Sequence, residues 1–93
     1  MKLFKSIDEK FNEIRFYKVQ DDEYVVCYER KHTHPEYTQV LSISHKANNR
    51  HLVHSYDKDL FDSEVIGNTC VGLTGYEMKL ALKKLKQKGW KSK

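Results

Sequence analysis

Residues 37–56, YTQVLSISHKANNRHLVHSY, decide the fold. Tyr37 to Lys46 alternates, with Tyr37, Gln39, Leu41, Ile43 and His45 on one side and Thr38, Val40, Ser42 and Ser44 on the other. A period of two is the mark of a strand. Ala47-Asn48-Asn49-Arg50 then reads as a turn, because Asn tolerates the positive φ that a tight hairpin requires. With Asn48-Asn49 as a two-residue loop, His45 is expected opposite Leu52, Ile43 opposite His54 and Leu41 opposite Tyr56. That register puts apolar residues of both strands on one face.

Working outward, the period of two continues upstream. Phe16–Gln20 predicts a short strand, Asp21-Asp22-Glu23 a turn, and Tyr24–Arg30 a strand dense in β-formers. His32-Thr33-His34-Pro35-Glu36 is the expected connection, since proline is excluded from a central strand. A one-residue slip at this loop would exchange the two faces of the 24–30/37–46 hairpin, so its register stays open. Downstream, Lys58–Gly72 reads as irregular, tacked onto the body by Leu60, Phe61, Val65, Ile66 and Val71, with a short strand near Ser63–Ile66.

Helical spacing frames the sheet. Leu3, Phe4, Ile7, Phe11 and Ile14 predict a helix over 2–14, and Ser6 with Glu9 resembles a capping box that would start its regular part at Ile7. At the other end, Thr74 and Glu77 form a second capping box, with Leu73 and Met78 as its hydrophobic staple. Met78, Ala81, Leu82 and Leu85 make the expected buried stripe. Gly89 is placed to terminate this helix in the left-handed region, which lets Trp90 fold back on Leu85. The sum is α-β-β-β-β-α: a single α+β domain over 1–93, two-layered, its four-stranded antiparallel sheet covered on one face by the N- and C-terminal helices.

Composition narrows the function classes. Hydrophobic residues at 39% with eleven aromatics exclude a disordered tail. No apolar run approaches the ~20 residues of a membrane span. The opening MKLFKSIDEKF lacks an apolar signal core, so a cytoplasmic location is expected, with Cys27 and Cys70 as buried, reduced and inert thiols.

Charge is unevenly placed. Positions 1–77 hold thirteen acids against ten Lys or Arg, leaving −3, while positions 78–93 hold seven Lys and no acid. Lys79, Lys83, Lys84, Lys86 and Lys88 are expected to project from the last helix or border its stripe. Lysines at a helix C-terminus also favour its dipole, which gives part of this pattern a structural cause. Nucleic-acid recognition would want arginines or stacking aromatics among the lysines, and only Trp90 lies near them. An acidic protein partner fits the same charges by potential alone.

Other residue types point to no chemistry. His32, His34, His45 and His54 make no zinc-type spacing, although His45 and His54 are expected to share a sheet face. Asp57, Asp59, Asp62 and Glu64 cluster without the spacing of a calcium loop and read as solvated charge. Gly67, Gly72 and Gly75 form no phosphate cradle. Six tyrosines suit an adaptable contact surface as well as a sheet core.

The opening MKLFKSIDEKFNEI and the ending LTGYEMKLALKKLKQKGW resemble the ends of short uncharacterised proteins encoded by phages, prophages and mobile elements of low-GC Gram-positive bacteria. The resemblance implies a cytoplasmic, phage-associated protein and transfers no catalytic residue. The expectation is a small non-enzymatic binding protein that contacts a protein partner, without cofactor, metal or membrane. The first alternative is nucleic-acid binding through the five helix lysines. The second is a small metal-binding or His-dependent enzyme using His32, His34, His45 or His54.

Overall fold

A computed structural model describes residues 5–46, 50–62 and 69–90. Its elements are α1 (Ile7–Glu13), β1 (Tyr17–Asp21), β2 (Val25–Thr33), β3 (Glu36–Lys46), β4 (Arg50–Asp57), α2 (Lys58–Asp62) and α3 (Gly75–Gln87). The strands form one antiparallel sheet in the order β1-β2-β3-β4. Helices α1 and α3 lie on one face. Phe11, Phe16, Leu80 and Ala81 close there on Val26, Tyr28, Leu41 and Ile43, with Phe11 stacked on Tyr28 at 4.1 Å. The α+β fold expected from periodicity is the one observed.

Helix α1 starts where its cap predicts. Ser6 accepts a hydrogen bond from the Glu9 amide at 3.1 Å, and the regular helix begins at Ile7. The lead-in around Leu3 and Phe4 lies outside the described residues. The helix closes with two crossed bonds, Phe16 N–H to Phe11 C=O and Arg15 N–H to Asn12 C=O. This is a Schellman ending with Arg15 in the left-handed slot at φ 67°, a position glycine usually fills. Phe16 is drawn into the core by that turn, so β1 begins one residue later than its composition suggests.

The β2/β3 hairpin is tighter than expected. Thr33 pairs with Glu36 around His34-Pro35, so His32 and Thr33 extend β2 instead of forming a loop. Its register sets Tyr28 against Leu41 and Val26 against Ile43, which joins the apolar side chains of both strands under the helices.

The β3/β4 register differs from the expected one by a residue. Lys46 pairs with Arg50, leaving a three-residue connection at 47–49 that lies outside the described residues. His45 therefore opposes His51, Ile43 opposes Val53 and Leu41 opposes Ser55. The slip carries every β4 side chain to the opposite face. Val53 joins the core, while Leu52, His54 and Tyr56 take the other face, so His54 does not share a face with His45.

Beyond β4, Asp57 accepts bonds from the Asp59 and Leu60 amides and starts α2 in a stretch expected to be irregular. The strand expected near Ser63–Ile66 lies outside the described residues. Cys70 then bridges to Tyr56, with Asp57 N–H bonded to Thr69 C=O and Val71 N–H to Ser55 C=O, which covers part of the β4 edge. Contrary to expectation, Cys70 is exposed and Cys27 only half-buried; no disulfide joins them.

Helix α3 has both predicted ends. Thr74 and Glu77 bond reciprocally at 3.1 and 3.0 Å. Gly89 sits at φ 78°, and the Gly89 and Trp90 amides bond back to Lys86 and Leu85. Nothing lies within 4 Å of where a Gly89 Cβ would stand, so only backbone strain opposes a side chain there. Gly89→Ala is expected to cost about 1 kcal/mol, a Tm fall of about 4–8 °C in a domain this size. An unchanged Tm would mean that the turn is not held in solution.

Candidate functional site

The face that α3 turns inward is rotated from the predicted stripe. Glu77, Leu80, Ala81 and Lys84 are buried, whereas Met78 and Leu82 stand 38% and 54% exposed. Two ion pairs explain the rotation. Glu77 bonds Arg30 of β2 at 2.7 Å, and Lys84 bonds Asp8 of α1 at 3.1 Å. Turned the other way, α3 would put Glu77 in water and leave the mostly buried Arg30 without its carboxylate, which costs more than burying the exposed parts of Met78 and Leu82 would recover.

Around each pair a polar network extends. Arg30 lies over the Phe16 ring at 4.1 Å, donates to Gln39 at 2.9 Å and reaches the Ile14 carbonyl at 3.3 Å, where α1 ends. The fully buried Gln39 donates to Ser55 and meets His32 Nε2 at 2.8 Å. His32 in turn stacks on Tyr37 at 4.3 Å. These contacts tie β2, β3 and β4 to α3, with Arg30 Nε the one buried nitrogen of the network that finds no partner among the described residues.

The second network centres on Asp8, which accepts from Tyr28 at 2.6 Å, Lys18 at 2.9 Å and Lys84. Burial pushes the Asp8 carboxyl upward, but these donors outweigh it and hold it at about 2. The Tyr28 hydroxyl is raised, first by burial and then by the adjacent carboxylate. Asp21 is lowered by Lys88 and then by Lys18, its two ammonium partners.

These networks correct the expected lysine face. Lys84 is buried in a structural ion pair, and Lys88 is bound to Asp21 at 2.8 Å and to the Asp22 carbonyl. Neither is available to a partner as a free cation. Lys79, Lys83 and Lys86 are exposed, and among the described residues none of them pairs with an acid. They flank Met78 and Leu82, so the outer face of α3 is an apolar ridge between cations. Met78 also borders a cleft of about 670 Å³ between the start of α3 and the β4 edge, lined by Val53, His54, Tyr56 and Leu73.

The other candidates are scattered. His34 is exposed in the β2/β3 turn and His54 on β4, and His45 lies against His51. Among the described residues no group of three or more His, Cys, Asp or Glu gathers to hold a metal. No helix among the described residues is long and apolar enough to cross a membrane. What sequence reasoning missed was the exposed pair Met78 and Leu82. The signal was there in Glu77 and Lys84, whose partners Arg30 and Asp8 compete for the same helix face. No known protein family, curated protein or solved structure matches this chain.

Proposed function

We propose that this chain is a non-enzymatic binding module whose α3 outer face docks an acidic, amphipathic helical segment of a protein partner. The observation that carries this reading is the exposure of Met78 and Leu82 between Lys79, Lys83 and Lys86. Apolar anchors rimmed by one sign of charge suit an apolar stripe flanked by glutamates or aspartates. The rim supplies steering and register, and the anchors supply affinity. A phosphate backbone would use the lysines and leave the anchors in water. The resemblance of both chain ends to phage-encoded proteins supports a cytoplasmic, phage-associated setting, in which the partner is a protein of the host.

Nucleic acid remains the competing occupant, because Tyr76 is half-exposed one turn before Lys79. The two readings separate by titration. A labelled peptide with leucines at helical spacing between glutamates, a scrambled peptide of equal charge, and single- and double-stranded DNA are each followed by fluorescence anisotropy. The amphipathic peptide is expected to bind best, and Met78→Ser/Leu82→Ser should weaken it by at least tenfold. Lys79→Glu/Lys83→Glu/Lys86→Glu should abolish it. Tighter binding of DNA, steeply salt-dependent and indifferent to the Met78 and Leu82 changes, would assign the face to nucleic acid instead.

A further inference from the structure

The β3/β4 register sets two imidazoles directly across the hairpin, beneath the Trp90 ring. His45 pairs with His51, and their ring centroids lie 5.0 Å apart with planes 29° from parallel. On each ring one nitrogen is buried without a hydrogen-bond partner, Nδ1 of His45 and Nε2 of His51. An orphaned ring nitrogen is costly, and one ligand shared by the two neighbouring rings would satisfy both. Trp90 covers the pair, its indole within 15° of both ring planes at 5.6 and 6.3 Å. The Schellman turn at Gly89 places it there.

We propose that His45 and His51 chelate one late first-row transition-metal ion, of the class Zn²⁺, Cu²⁺ or Ni²⁺, beneath Trp90. Neutral imidazole is the ligand these ions favour, whereas Mg²⁺ and Ca²⁺ demand oxygen. The spacing fits the chemistry. Two imidazole nitrogens each about 2.0–2.1 Å from one ion, at angles between square and tetrahedral, bring ring centres to about 4.5–5.2 Å. The observed separation falls in that interval. Two side chains leave the remaining positions to water or to a donor from a partner, so the site is an open one. Lys88 lies 5.6 Å from the indole centroid, and its charge opposes a bound cation. That charge and the short ligand set make binding micromolar or weaker. The pair shares no residue with the docking face of α3, so either assignment can fail without the other.

The chain supplies its own reporter, since Trp90 is its one tryptophan. Untagged protein stripped with a chelator is titrated with Cu²⁺, Ni²⁺ and Zn²⁺, following Trp90 emission and heat. Saturable binding of one equivalent is expected, with Cu²⁺ quenching the indole. His45→Asn and His51→Asn should each weaken binding at least tenfold, while His34→Asn and His54→Asn leave it unchanged. Should an asparagine variant fail to fold, Ni²⁺ broadening of imidazole resonances in the unmodified chain decides, centred on His45 and His51. Broadening centred on other histidines, equal binding by a folded His45→Asn or His51→Asn variant, or no saturation up to millimolar metal overturns the proposal.

Discussion

Glu77→Ala is expected to destabilise the domain by about 3–5 kcal/mol, the usual cost of stranding one partner of a buried ion pair. The substitution acts twice. It removes the acceptor held 2.7 Å from the Arg30 guanidinium, whose side chain is only 18% exposed, and it breaks the reciprocal cap with Thr74. Whole domains of this length are stable by about 5–14 kcal/mol, so the variant should sit near its unfolding threshold at 37 °C. Even the lower bound, about 3 kcal/mol, corresponds to a Tm fall of roughly 12–24 °C. Glu77→Gln should cost less, because its amide oxygen can still accept from the Thr74 amide. Arg30→Met/Glu77→Leu should recover much of the loss, since an apolar pair of similar volume removes the stranded charge. Urea unfolding of the four proteins checks the set. A loss under ~1 kcal/mol for Glu77→Ala would show that water reaches Arg30, and the account of α3's rotation would fall with it.

That rotation marks where sequence reasoning stops. Local rules placed the ends of α3, because the Thr74–Glu77 box and the Gly89 terminator involve neighbours three to five positions apart. The face α3 buries is set by Arg30 and Asp8, which lie 47 and 76 positions away along the chain. No window on the sequence contains both members of either pair. Apolar count alone favoured Met78 and Leu82, so the exposed ridge was hidden inside the expected core. The β3/β4 register failed for a related reason. Residues 51–56 carry apolar side chains on both alternations, Val53 on one and Leu52 with Tyr56 on the other, and hydropathy cannot choose between them. Turn length chose, and the His45–His51 apposition followed from it. Arg15 in a left-handed cap carried no signal, since the pattern that announces such a turn is a glycine.

Acid should expose the second ion pair. Asp8 titrates at about 2 in the fold against 3.8 as its ordinary value, so the unfolded chain takes up this proton first as pH falls. The depressed pKa therefore contributes stability that is complete above about pH 4 and is lost as pH falls toward 2. The shift alone would bound the contribution at about 2 kcal/mol, and discounting for a carboxylate about one-third exposed to solvent leaves about 1–2 kcal/mol. Asp21 and Asp22 are lowered too, by Lys88 and Lys18 in one case and by Gln20 and the Tyr24 amide in the other, so the wild-type acid slope is shared. A difference measurement isolates Asp8. At pH 7, Asp8→Asn should lose about 2–3 kcal/mol, because the Lys84 ammonium stays buried with Gln87 as its remaining acceptor. Between pH 4 and 2 the gap between the two proteins should then narrow by that 1–2 kcal/mol, since the wild type is giving up what the variant never had. Urea unfolding of both proteins across pH 2–7 reads the gap directly. A gap that stays constant down to pH 2 would mean that the carboxylate is not held by Tyr28, Lys18 and Lys84, and that α1 and α3 are joined by their apolar contacts alone.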